Sequence, residues 1–387
     1  MDLFRLTIFL FLIAALIRSE LFFYLLYVIV GLQLVARFWV RGTARRLRWK
    51  RTVPPAAFPG ETTTISLELE NTSVLPVPWL ALHESLGAGL RSPPMVREVL
   101  SLGAGERQTL SYTVTAQRRG YYQIGPLALR TGDVLGLGEQ ALEDQSTAAI
   151  TIYPTILPLP ELGLPASLPY GTLQTRQRLF ADPARPIGVR PYQASDGVRR
   201  IDWKSSAHAG VPLVRRYQPA IALETMIALA FSRSEYGGRF EYDTMERALV
   251  AAASLAAFLN RQRQPVGLCA TGFDPQSNQP AATIAPNQGR AHLMRLLGVL
   301  GRLEASVRGE LPMLAYQASA QLGWGATLIV ITGQRGTELV QSLLPLQRRG
   351  LNLALIITEP TPADLALPQR HGIASYGLWR DGRPAKR

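Results

Sequence analysis

The residue types with the most chemical potential lie between Arg190 and Tyr217, in the run RPYQASDGVRRIDWKSSAHAGVPLVRRY. Eight charged side chains, Arg190, Asp196, Arg199, Arg200, Asp202, Lys204, Arg215 and Arg216, share it with Tyr192, Tyr217 and Trp203. Two carboxylates this close are raw material for general acid and base catalysis, and a hydrolase using Asp196 and Asp202 is one reading. Arginines on every side favour the ionised form of both, however, and guanidinium forks match carboxylates geometrically. The run therefore reads as a structural and docking element. Asp202 is expected to be held by one or more of Arg199, Arg200 and Arg215, with Trp203 packed inward beside Ile201. Arg216 is expected on the outer face, where it favours an acidic partner.

Other catalytic templates do not assemble. The four histidines, His83, His208, His292 and His371, are scattered and give no metal-ligand spacing. The chain has no phosphate loop, no G-x-S-x-G elbow and no Cys–His pair. Its single cysteine, Cys269, sits in the apolar run Val266-Gly267-Leu268-Cys269-Ala270 and reads as a buried strand thiol in a reducing compartment. No cofactor is expected.

The elements that position these residues follow from composition and period. A chain of 387 residues, 47% hydrophobic, can build two or three cores. Its net charge of +13 falls in two stretches. Seven basic residues without an acid lie between Arg37 and Arg51, and nine basic residues against three aspartates lie between Arg176 and Arg216. A basic stripe with a nucleic-acid reading module is absent, so a nucleic-acid role is not expected. Two apolar runs, Leu6 to Ile17 and Leu21 to Ala36, precede the first basic cluster. The second spans about 24 Å as a helix, which Phe38 and Trp39 extend into the interface. They read as a transmembrane helical hairpin, in preference to a cleaved signal peptide, with residues 1–51 forming hairpin and basic juxtamembrane segment. Basic residues after the second run place the body in the cytoplasm and set Arg37 to Arg51 against anionic lipid.

From 52 to 155 the sequence alternates in short strands with Gly and Pro punctuation. Thr64 to Glu70, Leu110 to Val114 and Ala149 to Tyr153 are examples, and they predict a β-sandwich of immunoglobulin-like size. Residues 156–189 read as a proline-rich linker, and 190–218 as the charged segment above. Residues 219–387 alternate strand and helix. Strands are expected at Leu223–Phe231, Val266–Ala270, Ala326–Thr332 and Leu351–Thr358. Helices are expected at Glu241–Arg261, Arg290–Leu303, Pro312–Leu322 and Thr337–Gln347. That order predicts a doubly wound parallel sheet covered on both faces.

The charged segment resembles the signature of domain-of-unknown-function family 58, roughly R-x-Y-x-x-G-D-x-x-R-x-I-D-W-K-x-x-A-R. Arg190, Tyr192, Asp196, Arg199 or Arg200, Ile201, Asp202, Trp203, Lys204 and Ala207 fit it, while Ser195 replaces a glycine and His208 an arginine. Arg118-Arg119-Gly120-Tyr121-Tyr122 and the stretch through Leu137 resemble the region this family carries ahead of the signature. The resemblance implies a von Willebrand factor A-like C-terminal domain and a non-catalytic scaffold working with a MoxR-type AAA+ ATPase. Metal-binding A domains carry Asp-x-Ser-x-Ser after the first strand. Here Ala230, Ser232 and Ser234 stand there, and Thr332-Gly333-Gln334 stands where Thr-Asp-Gly belongs. With both carboxylates gone, no metal is expected, although metal-dependent adhesion is the alternative that the resemblance raises.

Overall fold

The computed structural model describes residues 8, 11–12, 16, 20–87, 89–91, 97–165, 181–193, 201–219, 224–237, 241–307, 309 and 311–379. The chain forms two compact units, one of residues 1–155 with 274–278 and 297–303, the other of the remainder.

In the first unit the second apolar run is a continuous helix, α1, Glu20–Ala44. Its middle is apolar on all sides and mostly exposed, with Leu21, Tyr24, Leu25, Tyr27, Val28, Leu32, Leu34, Val35 and Phe38 all presented outward. Such a helix is long and apolar enough to cross a membrane. Of the first run, Ile8, Phe11, Leu12 and Leu16 are described, and they are helical and exposed. The helix does not end where the apolar run does. It continues into the basic cluster as far as Ala44 and buries Ala36, Val40, Thr43 and Ala44.

The next strand begins at once. Four strands, β1 (Leu47–Thr52), β3 (Thr62–Asn71), β7 (Arg107–Ala116) and β5 (Leu90–Arg91), form one sheet in the order β1-β3-β7-β5. The second sheet runs β2-β10-β8-β4-β6, from β2 (Ala56–Ala57), β10 (Ala148–Ile152), β8 (Gly120–Gly132), β4 (Val77–Leu86) and β6 (Arg97–Leu102). Strand β9 (Glu139–Asp144) pairs with β8. The alternation read from Thr64 to Glu70 is visible in β3, where Ile65, Leu67 and Leu69 turn inward. Leu67 and Leu69 meet Leu80, Leu82, Leu127 and Leu129 of the other sheet, so two sheets enclose one apolar layer.

The boundary expected at residue 51 is therefore corrected to Leu47, and the basic cluster is not one segment. Arg37 and Arg41 are exposed on α1, whereas Arg48, Lys50 and Arg51 belong to β1. Arg51 turns inward and donates from Nε to Glu84, which also accepts from the Tyr112 hydroxyl. It is not available to a lipid headgroup. Burial, followed by the hydrogen bond to Glu84 and its charge, pushes the Tyr112 hydroxyl far up, with Arg51 opposing. Arg119, in the run after β7, donates from Nη1 to the carbonyls of Leu300, Gly301 and Leu303 at 3.0, 3.3 and 2.8 Å. Charge-assisted donors of this kind satisfy carbonyls that a helix end leaves open.

The second unit holds a six-stranded sheet in the order β17-β14-β13-β18-β19-β20. Its strands are β13 (Thr225–Leu229), β14 (Val266–Ala270), β17 (Ile284–Asn287), β18 (Thr327–Thr332), β19 (Asn352–Thr358) and β20 (Ala374–Leu378). All neighbours are parallel except β14 and β17. Strands β13, β14 and β18 are buried at every position, as a sheet covered on both faces requires. Between the short charged helix α2 (Trp203–Ala209), described below, and the C-terminus come α3 (Glu241–Arg261), α4 (Arg290–Arg302), α5 (Leu311–Ser319), α6 (Thr337–Arg348) and α7 (Pro362–Arg370). Helices α5 and α6 supply Leu311, Leu314, Leu339 and Leu343 to the core containing Met226, Ala228 and Ala230.

Helix 241–261 and strand 266–270 coincide with the ranges read from the sequence, and the others agree within a few residues. Helix α7, the edge strands β17 and β20 and the two-residue strands β15 (Phe273–Asp274) and β16 (Gln279–Pro280) have no counterpart in that reading. Their apolar content is too short or too interrupted for a period to register.

Candidate functional site

The charged segment is built as an excursion from a β-ribbon. Strand β11, Ala181–Pro191, pairs antiparallel with β12, Leu213–Pro219, placing Arg190 opposite Val214 and Pro191 opposite Leu213. The linker expected over 156–189 is thus a strand in its last nine residues, and a short 3-10 turn at Leu159–Leu162 lies in its first part. Prolines in β11 are tolerated because a two-stranded ribbon is all edge. The Tyr192 amide donates to the Pro212 carbonyl at 2.9 Å and carries the ribbon one residue further.

The chain returns through Ile201, which bridges to Val214, and enters α2. Asp202 caps that helix, accepting at 3.3 Å from the Ser205 amide, while its own amide donates to the Leu213 carbonyl at 2.8 Å. Gly210, at φ 69°, closes the helix in the left-handed conformation. Ser206 ties the two ends together. Its hydroxyl donates to the Asp202 carbonyl at 2.7 Å and accepts from the Leu213 amide at 2.8 Å. Sequence reasoning passed over Ser206, because a serine in a polar run carries no period.

Trp203 is the clearest correction. It was expected to pack inward beside Ile201, yet it is 66% exposed at the first position of α2, and Lys204 beside it is exposed too. Capping by Asp202 fixes the start of the helix, and this start turns the indole outward. Asp196, Arg199 and Arg200 lie outside the described residues, and Arg215 and Arg216 are described only as backbone positions of β12. Val189 and Val211 are also exposed, so this ribbon presents an aromatic and aliphatic side chains amid basic charge.

The second candidate lies at the carboxyl ends of β13 and β18. The sheet order reverses between these strands, the usual place for a ligand crevice in an open α/β sheet. After β13 the chain passes Ala230, Phe231 and Ser232 into a short 3-10 turn, Arg233–Glu235. Ser232 is buried and Ser234 is exposed. Glu235 supplies a carboxylate that the motif comparison overlooked, one residue beyond Ser234. Its Oε2 accepts from the Thr332 hydroxyl at 3.0 Å. Among the described residues, Ser232 Oγ, Ser306 Oγ and Glu235 Oε1 are buried without a hydrogen-bond partner. Ser232 precedes the 3-10 turn without capping it through its side chain.

Burial raises the Glu235 carboxyl above the usual carboxylate range, with the Thr332 hydroxyl opposing without cancelling it. Tyr236 fills the remaining space, and its hydroxyl donates to the Ala230 carbonyl at 2.7 Å. Burial, then the charge of Glu235, pushes that hydroxyl well above its ordinary value. A Cβ at Gly333 would stand 2.6 Å from both the Glu235 carbonyl oxygen and Tyr236 Cδ1. A carboxylate at 333 therefore has no room, and Ala230 is wholly buried. A single carboxyl with hydroxyls around it fits a divalent cation poorly, since such ions need several charged or strongly polar oxygens.

Comparison with known proteins adds the family. Residues 188–374 match the profile described as protein of unknown function DUF58. The chain is 20% identical over 226 residues to the uncharacterized protein YeaD of Bacillus subtilis, covering 55% of this chain and 52% of YeaD. It is 28% identical over 131 residues to the uncharacterized protein Rv1480 of Mycobacterium tuberculosis, covering 33% of this chain and 40% of that protein. The chain thus spans about half the length of the first of these relatives and less of the second. Among solved structures, the CARDB domain of PF1109 from Pyrococcus furiosus, crystallised with di-metal ions, covers 27% of this chain and 86% of its own. Its TM-score is 0.21 at 16% identity, and the sandwich assignment rests on the sheet order above.

Proposed function

This chain belongs to the DUF58 family through residues 188–374, and from that premise we propose that it is a membrane-anchored, non-catalytic scaffold whose soluble body faces the cytoplasm. The observation that carries the reading is α1, an apolar helix exposed over most of its length and continuous with a folded body. Exposed Arg37, Arg41, Arg45 and Arg46 at its carboxyl end favour the cytoplasmic side. With the first apolar run it makes a hairpin anchor.

The body is read as an immunoglobulin-like sandwich followed by an A-type α/β domain whose metal edge is filled by Tyr236 and Glu235. Partner binding falls to the charged ribbon. Trp203, Val189 and Val211 lie exposed with Arg190 and Lys204 beside them in the chain, the mixture of aromatic anchor and cationic charge that suits an acidic protein surface. Family resemblance points to a MoxR-type AAA+ ATPase as the partner.

The experiment is proximity labelling in native membranes with the labelling enzyme fused after Arg387, comparing the native chain with Trp203→Ala. The ATPase should be labelled by the native chain and lost with the variant, at unchanged expression and melting temperature. Labelling confined to proteins of the far side of the membrane, or undiminished in Trp203→Ala, would refute the assignment.

A further inference from the structure

Two loops of the sandwich lie against the last turns of α1, and each is held rigid by buried polar side chains while presenting apolar tips. The first joins β3 to β4. Buried Asn71 donates from Nδ2 to the carbonyls of Leu75 and Gly103 at 2.9 and 2.8 Å and accepts from the Ser73 amide and hydroxyl at 3.1 and 2.7 Å. Those bonds leave Val74 at the apex, 80% exposed, with Leu75 beside it. The second loop joins β8 to β9. The Asp133 carboxylate accepts from the amides of Leu135 and Gly138 at 2.9 and 2.6 Å, and Val134 and Leu135 stand outward, 80% and 65% exposed. Polar side chains that order a turn around its own backbone usually leave polar residues at the tip. Here the tips are aliphatic, at a cost in solubility that a purely structural turn does not need.

The first loop is bonded to α1 and to the turn that follows it, and the second lies against the helix. The Trp39 indole donates to the Pro76 carbonyl at 2.9 Å, and Thr72 donates from its hydroxyl to the Arg46 carbonyl at 2.6 Å. The second loop meets the helix higher up, where the ideal Cβ position of Gly138 lies 3.6 Å from the Ala36 carbonyl oxygen. Ala36 ends the apolar run, and Trp39 is about 4.5 Å further along the axis. With the end of the apolar run set at the hydrocarbon boundary, that interval fits within the headgroup layer, which is about 5–7 Å thick on each side of a typical bilayer. Exposed Arg37 and Arg41 occupy the same turns.

We infer that Val74–Leu75 and Val134–Leu135 enter the lipid interface beside α1, so that the sandwich is seated on an anionic bilayer. The inference rests on the reading of α1 as a membrane-spanning helix. A lipid surface is the occupant because the loops meet α1 at Ala36 and Trp39, where the neighbouring Val35, Phe38, Arg37 and Arg41 are exposed, the apolar and cationic composition of an interfacial anchor. Seating removes the freedom of a tethered domain.

The test uses the full chain reconstituted in vesicles of phosphatidylcholine and phosphatidylglycerol. Single cysteines at Val74→Cys, Leu135→Cys, Val28→Cys on α1 and Val99→Cys on β6 would each carry an environment-sensitive fluorophore. The native chain serves as a blank, since its one thiol is buried. The labels at 74 and 135 should shift to the blue, lose intensity to lipids bearing a spin label near the headgroup, and resist aqueous iodide; the label at 99 should do none of these. Iodide access at 74 and 135 with Val28→Cys still shielded overturns the seating alone. Iodide access at Val28→Cys as well overturns the membrane-spanning reading and the seating with it. Shielding at 74 and 135 without quenching by spin-labelled lipid means that protein covers the tips, and also overturns the proposal.

Discussion

Replacing Glu84 by glutamine tests the interior of the sandwich most severely. Glu84 lies on β4 in one sheet, while Arg51 on β1 and Tyr112 on β7 reach it from the other. The Arg51 and Glu84 side chains are 7% and 0% exposed, so the pair is desolvated and joins the sheets across the core. Arg51 also donates to the Ser146 carbonyl at 3.1 Å, but its Nη2 finds no partner among the described residues. Glutamine keeps the shape and removes the charge, leaving a buried guanidinium uncompensated at about 3–5 kcal/mol. Against a total stability of about 5–15 kcal/mol that is a large fraction. For a domain of this size it lowers the midpoint by more than about 12 °C, at about 4–8 °C per kcal/mol.

Urea unfolding of the detergent-solubilised chain, followed by hydrogen exchange of β3 and β7 amides, reads the loss where it occurs. The combined variant Arg51→Met, Glu84→Leu, Tyr112→Phe should regain most of it, because an apolar layer of similar volume needs no compensation. A Glu84→Gln protein within about 0.5 kcal/mol of the native one, the range of an ordinary surface change, would show that the bridge is solvated and the reasoning wrong.

Three further outcomes follow from the second unit. Glu235→Gln should raise stability at neutral pH and leave it unchanged in acid: a carboxyl whose folded pKa is raised costs stability as pH climbs from its unfolded value through the folded one. A variant that follows the native pH profile in chemical denaturation would contradict this. Ser206→Ala, which strands the Leu213 amide, should cost about 1–3 kcal/mol, and Asp202→Ala about 0.5–2 kcal/mol through loss of the cap, both measured by thermal melts. Melts in EDTA and in excess Mg²⁺ should coincide, because a ligand that does not bind the native state cannot shift its midpoint; a rise of several degrees with Mg²⁺ would restore the metal reading.

Element order was legible in the sequence wherever a local period expresses burial. The 3.6-residue spacing of Met245, Leu249, Ala252 and Leu255 specifies a helix before any partner is known, and the alternation of Ile65, Leu67 and Leu69 specifies a strand with one dry face. The charged segment was legible as unusual for the same reason: it has no period.

Long-range pairing decided the rest. Counting charge along the chain groups Arg51 with Arg37. Strand register instead turns it toward a glutamate 33 residues away and leaves Arg37 exposed on α1. Trp203 was expected to be buried because tryptophan usually is, but a cap at Asp202 begins a helix there and turns it out. Glu235 and Tyr236 became part of the crevice only because β13 and β18 are neighbours, which brings residues 235 and 332 within hydrogen-bond reach. Secondary structure is written in spacing a chain carries locally, whereas the partner of a buried charge depends on which strands meet, and only the folded sheets specify that.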